Sequence, residues 1–267
     1  MTSQNQGKAV ITGASSGIGF TYADRLAQRG FDLILVARDQ ARLEALATDL
    51  RAKHSINVEV VKADLTQPAD VSGLEQRLRS DASVTLLVNN AGVALSTPLA
   101  ESDLGEVDRL IQLNIVALTH LASAAAAGFA ARGTGAIINI ASVVPLLPER
   151  FNAVYAASKA YVLSLTQSLA AEMSEKGVQV QAVLPGATRT EIWERAGMDI
   201  NAFPAEMVMD VNEMVDAALA GFDQKELVTI PSLPDAAHWQ AFTQARLALG
   251  PNLSLQHAAQ RYKTAGA

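Results

Sequence analysis

Tyr155 and Lys159 stand four residues apart in the stretch Tyr155-Ala156-Ala157-Ser158-Lys159. On a helix that spacing puts both side chains on one face, with Cβ atoms about 5–6 Å apart. A phenol held beside an ammonium is a proton donor or acceptor that can work near neutral pH. Free tyrosine titrates near ~10, so bringing it to ~7 requires about 4 kcal/mol of preference for the phenolate. One cation at ~4 Å, in an effective dielectric of ~20, supplies about that much. The same spacing also describes a solvated lysine over a half-buried ring, so the pair takes its meaning from what surrounds it.

A second chemical feature lies near the N-terminus. Lys8-Ala9-Val10-Ile11-Thr12 reads as a short buried strand, and Gly13-Ala14-Ser15-Ser16-Gly17-Ile18-Gly19 follows it. A helical pattern then runs through Phe20, Ala23, Leu26 and Ala27. A strand, a glycine-rich turn and a helix start together make an anion site. The glycines let backbone approach a phosphate, and the helix N-terminus presents free N–H groups and the positive end of its dipole. Glycines alone would mean only a tight turn; the flanking strand and helix favour phosphate binding.

These motifs, with Asn89-Asn90-Ala91-Gly92, Asn114, Ser142 and Pro185-Gly186, occur in the order and at the spacing of the short-chain dehydrogenase/reductase family, which this chain resembles strongly over about residues 8–190. The resemblance implies a dinucleotide held by Gly13, Ser15, Ser16, Gly17, Ile18 and Gly19, by Asp64 and Leu65 at the adenine, and by Asn90, Ala91 and Gly92. It further implies Pro185, Gly186 and Tyr155 as cofactor-binding residues, Thr188 and Thr190 as contacts of the nicotinamide carboxamide, and Lys159 at the nicotinamide ribose. In the catalytic roles it implies, Tyr155 exchanges a proton with the substrate oxygen, Ser142 hydrogen-bonds that oxygen, Lys159 lowers the tyrosine pKa, and Asn114 supports a relay through water to Lys159. Asn114 as a buried residue bonding backbone, and Asp64 as a cap on the next helix, are compatible alternatives.

The second strand bears on the choice of cofactor. NAD-binding members usually end it with an acid, where this chain has Ala37 followed by Arg38. Losing the acid removes repulsion of a 2′-phosphate, and an arginine can pair with one. NADP is therefore expected over NAD; the rival is that Asp39 reaches the ribose while Arg38 faces solvent. The expected substrate is a small-molecule carbonyl or alcohol. Val93, Ala94, Leu95, the stretch 143–148 and the Trp193 to Met209 segment would give it an apolar wall, favouring a lipophilic ketone, aldehyde or secondary alcohol. A non-catalytic NADP-binding regulator, a glycine-loop methyltransferase and a dehydratase or epimerase on the same fold are the rival functions.

Composition narrows the field further. The chain has 267 residues, 49% hydrophobic and 18% charged, enough for a large core. The net charge of −6 argues against a nucleic-acid surface. With no cysteine, thiolate nucleophiles and cysteine-ligated metals are excluded, and His54, His120, His238 and His257 lack ligand spacing, so no metal is expected. No secretory signal is expected, because the first strand starts near Lys8. The stretch 115–131 is alanine-rich and broken by polar residues, which suits a buried helix rather than a membrane span. The cytoplasm is the expected location.

Elements that could position these groups alternate along the chain. Strands are expected at 8–12, 32–37, 57–61, 84–89, 135–141, 178–184 and 226–230, and helices near 18–29, 39–53, 68–79, 103–131, 153–175 and 210–222. Runs such as Leu33-Ile34-Leu35-Val36 lack period-two alternation, as strands buried on both faces do. The expected fold is a single-domain Rossmann-type α/β doubly wound parallel sheet of about seven strands, helices on both faces. One domain is expected over 1–267, with 187–223 as a substrate-side lobe and 234–267 as a C-terminal helix and tail. The resemblance implies a homodimer or homotetramer joined through the helices near 103–131 and 153–175, whose alanines would permit close approach.

Overall fold

The computed structural model describes residues 6–263. Chain contacts group it into two compact units that meet in sequence at Pro231 and Ser232. The first unit is a seven-stranded, all-parallel sheet of Rossmann type, ordered β3-β2-β1-β4-β5-β6-β7. Its strands are β1 (Lys8–Thr12), β2 (Asp32–Ala37), β3 (Val58–Lys62), β4 (Val84–Asn89), β5 (Gly135–Ile140), β6 (Val178–Val183) and β7 (Val228–Thr229). The last is two residues long where five were expected.

Burial on both faces explains the unbroken apolar runs. Leu33 and Leu35 of β2 enter a core with Tyr22, Leu26, Leu43, Leu50, Met214 and Leu219. Their neighbours Ile34 and Val36 enter a second core with Leu74, Leu78, Leu121, Phe129 and Met173. Successive side chains point to opposite faces, so a two-sided core demands apolar residues at every position. Helices α1 (Gly17–Gln28), α2 (Gln40–His54) and α8 (Val211–Asp223) cover the first face. Helices α3 (Pro68–Ser80), α5 (Leu118–Arg132) and α6 (Ala153–Met173) cover the second.

The helix expected near 103–131 is a composite. Helix α4 (Leu104–Ile111) passes through a π-helical turn (Gln112–Ala117) into α5. A π-turn inserts one extra residue and is often found where a helix must aim a functional group inwards; here it carries the buried Asn114. The whole run Leu104–Arg132 is long and apolar enough to cross a membrane by length and composition, but half of its most apolar window is buried within the protein. Ala122, Ala124, Ala125 and Ala126 lie in the second core, so intramolecular packing accounts for these alanines.

Between β6 and α8 the chain follows neither period, and it forms only α7 (Ile192–Arg195) and two 3₁₀ turns at Ile200–Ala202 and Ala205–Met207. A parallel bridge between Thr188 and Met209 closes the base of this lobe. The second unit contains α9 (Ala236–Leu247), capped by Asp235 on the Ala237 N–H, and a 3₁₀ turn at Gly250–Asn252. It buries no residue of α9; Phe242 and Leu247 remain about half exposed.

Candidate active site

The strand order reverses between β1 and β4, so the loops after them diverge and open a crevice at their carboxyl ends. Thr12 and Asn90 fix its floor. The Thr12 hydroxyl accepts the Asn90 and Ala91 N–H groups at 3.0 Å and donates to the Val88 carbonyl at 3.3 Å. Asn90 Nδ2 donates back to the Thr12 carbonyl at 2.9 Å and to the Gly13 carbonyl at 3.3 Å. Gly19 completes this close approach, since a Cβ there would lie 2.4 Å from the Gly13 carbonyl oxygen and 2.5 Å from Asn90 Nδ2.

Over this floor runs a groove of about 660 Å³. Gly13, Ser15, Ser16, Gly17, Ile18, Arg38, Asp64, Leu65, Asn90, Ala91, Gly92 and Thr190 line it, so most residues expected at a dinucleotide share one groove. Gly19 lies behind it within α1. Ser16 is the N-cap of α1 yet makes no side-chain cap, so the first N–H groups of that helix keep their capacity for an anion. Exposed Arg38 makes no side-chain hydrogen bond or ion pair among the described residues, whereas Asp39 caps α2 by accepting the Arg42 N–H at 3.0 Å. Burial works to raise the Asp64 pKa, but the Thr66 N–H and hydroxyl, with the charges of Arg38 and Arg109, outweigh it and hold the carboxyl below its usual range. Asp64 forms this turn with Thr66 and leaves α3 uncapped by a side chain. The donor set and the glycine cradle fit a nicotinamide dinucleotide.

The other expected residues gather beside the groove. Asn152 caps α6 by accepting the Tyr155 N–H at 2.9 Å, which places Tyr155 in the first helical turn. Lys159 is buried and donates from Nζ to the Ile140 carbonyl at 2.9 Å, at the end of β5. Its Nζ lies 5.9 Å from the centre of the Tyr155 ring. Buried Ser142 accepts the Val144 N–H and donates to the Pro185 carbonyl at 3.4 Å. Thr188 bonds the Gly186 carbonyl at 3.2 Å, and the Thr190 hydroxyl reaches the Thr188 carbonyl at 3.5 Å. Asn114 Oδ1 accepts the Val93 N–H and Nδ2 donates to the Val93 carbonyl, both at 2.9 Å. Gly92 joins the two regions. A Cβ on it would sit 3.1 Å from Asn114 Oδ1 and 3.8 Å from Lys159 Nζ, so its missing side chain keeps the space between them open.

Electrostatics differ from the expectation at the tyrosine. Burial pushes the Tyr155 phenol up to about 12, against a smaller lowering by a hydrogen bond with Ser142. Burial also brings Lys159 down to about 8. The expected depression by the ammonium is absent because desolvation disfavours the charged form of each partner. The phenol is therefore a protonated donor at neutral pH, beside an amine that titrates close to it.

Several groove residues were not anticipated: Arg42, Thr66, Arg109, Leu113, Glu191, Ile192 and Arg195. Arg42 lies in the first turn of α2, three residues after the N-cap Asp39 and close in sequence to Arg38. Glu191 and Arg195 had no signal, because no periodicity says where the irregular lobe folds back.

A family model described as short chain dehydrogenase matches residues 7–201. A solved short-chain dehydrogenase from Sphingobium yanoikuyae in complex with NADPH is 54% identical, with a TM-score of 0.93, covering 96% of this chain and 100% of that one. A bulky-bulky ketone specific alcohol dehydrogenase from Comamonas testosteroni is 49% identical, with a TM-score of 0.90, covering 98% and 100%. An uncharacterized oxidoreductase of Staphylococcus epidermidis is 33% identical over 223 residues, 83% of this chain and 93% of its own.

The lysine shift gives a pH test. With a folded value of about 8 against 10.5 for the ordinary group, the unfolded chain holds the proton that the folded chain has released between these limits. Stability from this group therefore rises with pH across that window and is flat outside it. Relative to Lys159→Met, the wild type should gain about 3 kcal/mol from pH 8 to 10.5 in urea unfolding, from 1.36 kcal/mol per pKa unit. A difference that does not move with pH would mean the lysine is not desolvated.

Proposed function

Since the chain belongs to the short-chain dehydrogenase family of oxidoreductases, we propose that it is an NADP-dependent reductase of lipophilic ketones with bulky groups on both sides of the carbonyl. The observation that carries the reading is Tyr155 in the first turn of α6 with the buried Lys159 Nζ 5.9 Å from its ring centre, beside a groove lined by the exposed Arg38. NADP is supported by that arginine, by the capping role of Asp39 and by the NADPH bound to the Sphingobium relative. A ketone is supported by the Comamonas relative and by the apolar residues expected at the substrate, including the packed rings of Trp193 and Phe203, 5.1 Å apart.

When bound, the cofactor supplies the hydride for the carbonyl carbon. The chain's own residues manage the oxygen. Ser142 orients it, and Tyr155 Oη donates the proton that converts it to a hydroxyl. Lys159, with a pKa of about 8, is poised to return a proton to the phenolate. Asn114 has spent one lone pair of Oδ1 on Val93; the other serves the space at Gly92, through which water can resupply Lys159. A homodimer or homotetramer along α5 and α6, in the cytoplasm, is part of the proposal; a monomeric mass by light scattering would remove the oligomer.

Tyr155→Phe should lower the turnover of ketone with NADPH by at least ~100-fold, the lower range for general acid catalysis, while NADPH binding by fluorescence stays within about twofold. Undiminished turnover would refute the assignment. Arg38→Asp should shift the kcat/KM ratio for NADPH over NADH by about tenfold or more towards NADH, as expected when a charge-assisted phosphate bond becomes a repulsion. An unchanged ratio would remove Arg38 from the cofactor site.

A further inference from the structure

Along the groove four charged side chains form one cluster: Glu191, Arg42, Arg195 and Asp39, whose Oδ2 lies 3.5 Å from Arg42 Nε. Arg42, on α2, donates from Nη1 to both carboxylate oxygens of Glu191, at 3.1 and 2.9 Å. Arg195, on α7, donates from Nη2 to Glu191 Oε2 at 2.5 Å and reaches Ser16 Oγ at 3.4 Å. The two guanidiniums thus share one carboxylate oxygen, and all four residues line the groove with Ser15, Ser16 and Arg38. Two like charges this close repel unless an anion lies between them. Glu191 is that anion in this structure.

The cluster joins parts of the chain with different tasks. Arg42 belongs to the helix that begins just after Arg38, and Arg195 belongs to the lobe between β6 and α8. The hydroxyl of Ser96, after β4, holds that lobe through the Ala196 carbonyl at 2.8 Å, next to Arg195. The lobe therefore carries a cation to the groove that Arg38 also lines.

We propose that Arg42 and Arg195 complete a three-arginine clamp for the 2′-phosphate of NADP, and that Glu191 is an internal counter-ion competing with that phosphate for both of them. The inference rests on the cofactor reading above. A phosphate dianion needs the N–H donors that Glu191 engages, and the nearby carboxylate repels it. Glu191 is thus a specificity-determining group that limits how tightly the phosphorylated cofactor is held. The cofactor without this phosphate brings no 2′-dianion to those donors; its diphosphate is common to both cofactors.

The test titrates purified protein with NADPH and NADH, following the fluorescence of the reduced nicotinamide, for wild type, Glu191→Gln and Arg195→Gln. Side chains of 43% and 54% exposure make loss of the fold from either change unexpected, and thermal melting checks it. Glu191→Gln should tighten NADPH by about threefold to fivefold, and Arg195→Gln should loosen it about fivefold, on the scale of one partly solvated charge-assisted bond. NADH should change less than twofold in both. Opposite signs from two partners of one ion pair cannot come from loosening the lobe, because breaking the pair from either side would loosen it alike. Shifts in the same direction, no shift, or equal shifts for NADH would overturn the clamp. A wild type that binds NADPH with such results fails this inference alone; a wild type that does not bind NADPH fails the cofactor reading as well.

Discussion

The site depends on the lock between the ends of β1 and β4. Thr12 gives its hydroxyl to two N–H groups of the β4 loop, and Asn90 returns its amide to the glycine turn. Without that exchange the two loops that diverge at the strand reversal would be independent, each with unpaired backbone groups beside a crevice. With it, Gly13 to Gly19 are held at the distance where only glycine fits, and α1 starts with its N–H groups facing the groove. The buried chain Asn89–Asn139–Thr166 extends the same logic across β4, β5 and α6, each side-chain amide donating a hydrogen bond of 3.0 Å to the next residue. The helix that carries Tyr155 is thereby tied to the strand pair that carries the glycine turn.

Burial then sets the chemistry. A phenol raised to about 12 and an amine lowered to about 8 are both pushed towards neutrality by the same loss of water. The pair suits delivery of a proton to a carbonyl oxygen at neutral pH, because the donor is fully loaded and its neighbour can reload it. Attraction between a phenolate and an ammonium, which the spacing alone suggests, is outweighed by the cost of charging either group where they sit.

Much of this was legible in the sequence, for physical reasons. The run Leu33-Ile34-Leu35-Val36 betrayed a sheet covered on both faces because every one of its side chains enters a core. The glycine turn was readable because close backbone approach admits few residue types, and Tyr155 with Lys159 because helical spacing is rigid. Three things were not readable. The π-turn at Asn114 costs no distinctive residue, so the long helix looked continuous. The sign of the Tyr155 shift depends on burial, which spacing does not report. Glu191 and Arg195 reach the groove through an irregular segment, where tertiary contacts alone decide the path.

The most direct measurement of the central claim, reduction of a ketone beside a protonated Tyr155, follows the hydrogen itself. NADPH deuterated at both C4 positions is supplied with a bulky ketone in a single turnover, and the product is read by mass spectrometry and NMR. The account predicts an alcohol with one deuterium on the carbinol carbon, formed at least ~100-fold more slowly by Tyr155→Phe. An unlabelled carbinol carbon, or an unreduced ketone with NADPH demonstrably bound, would contradict it.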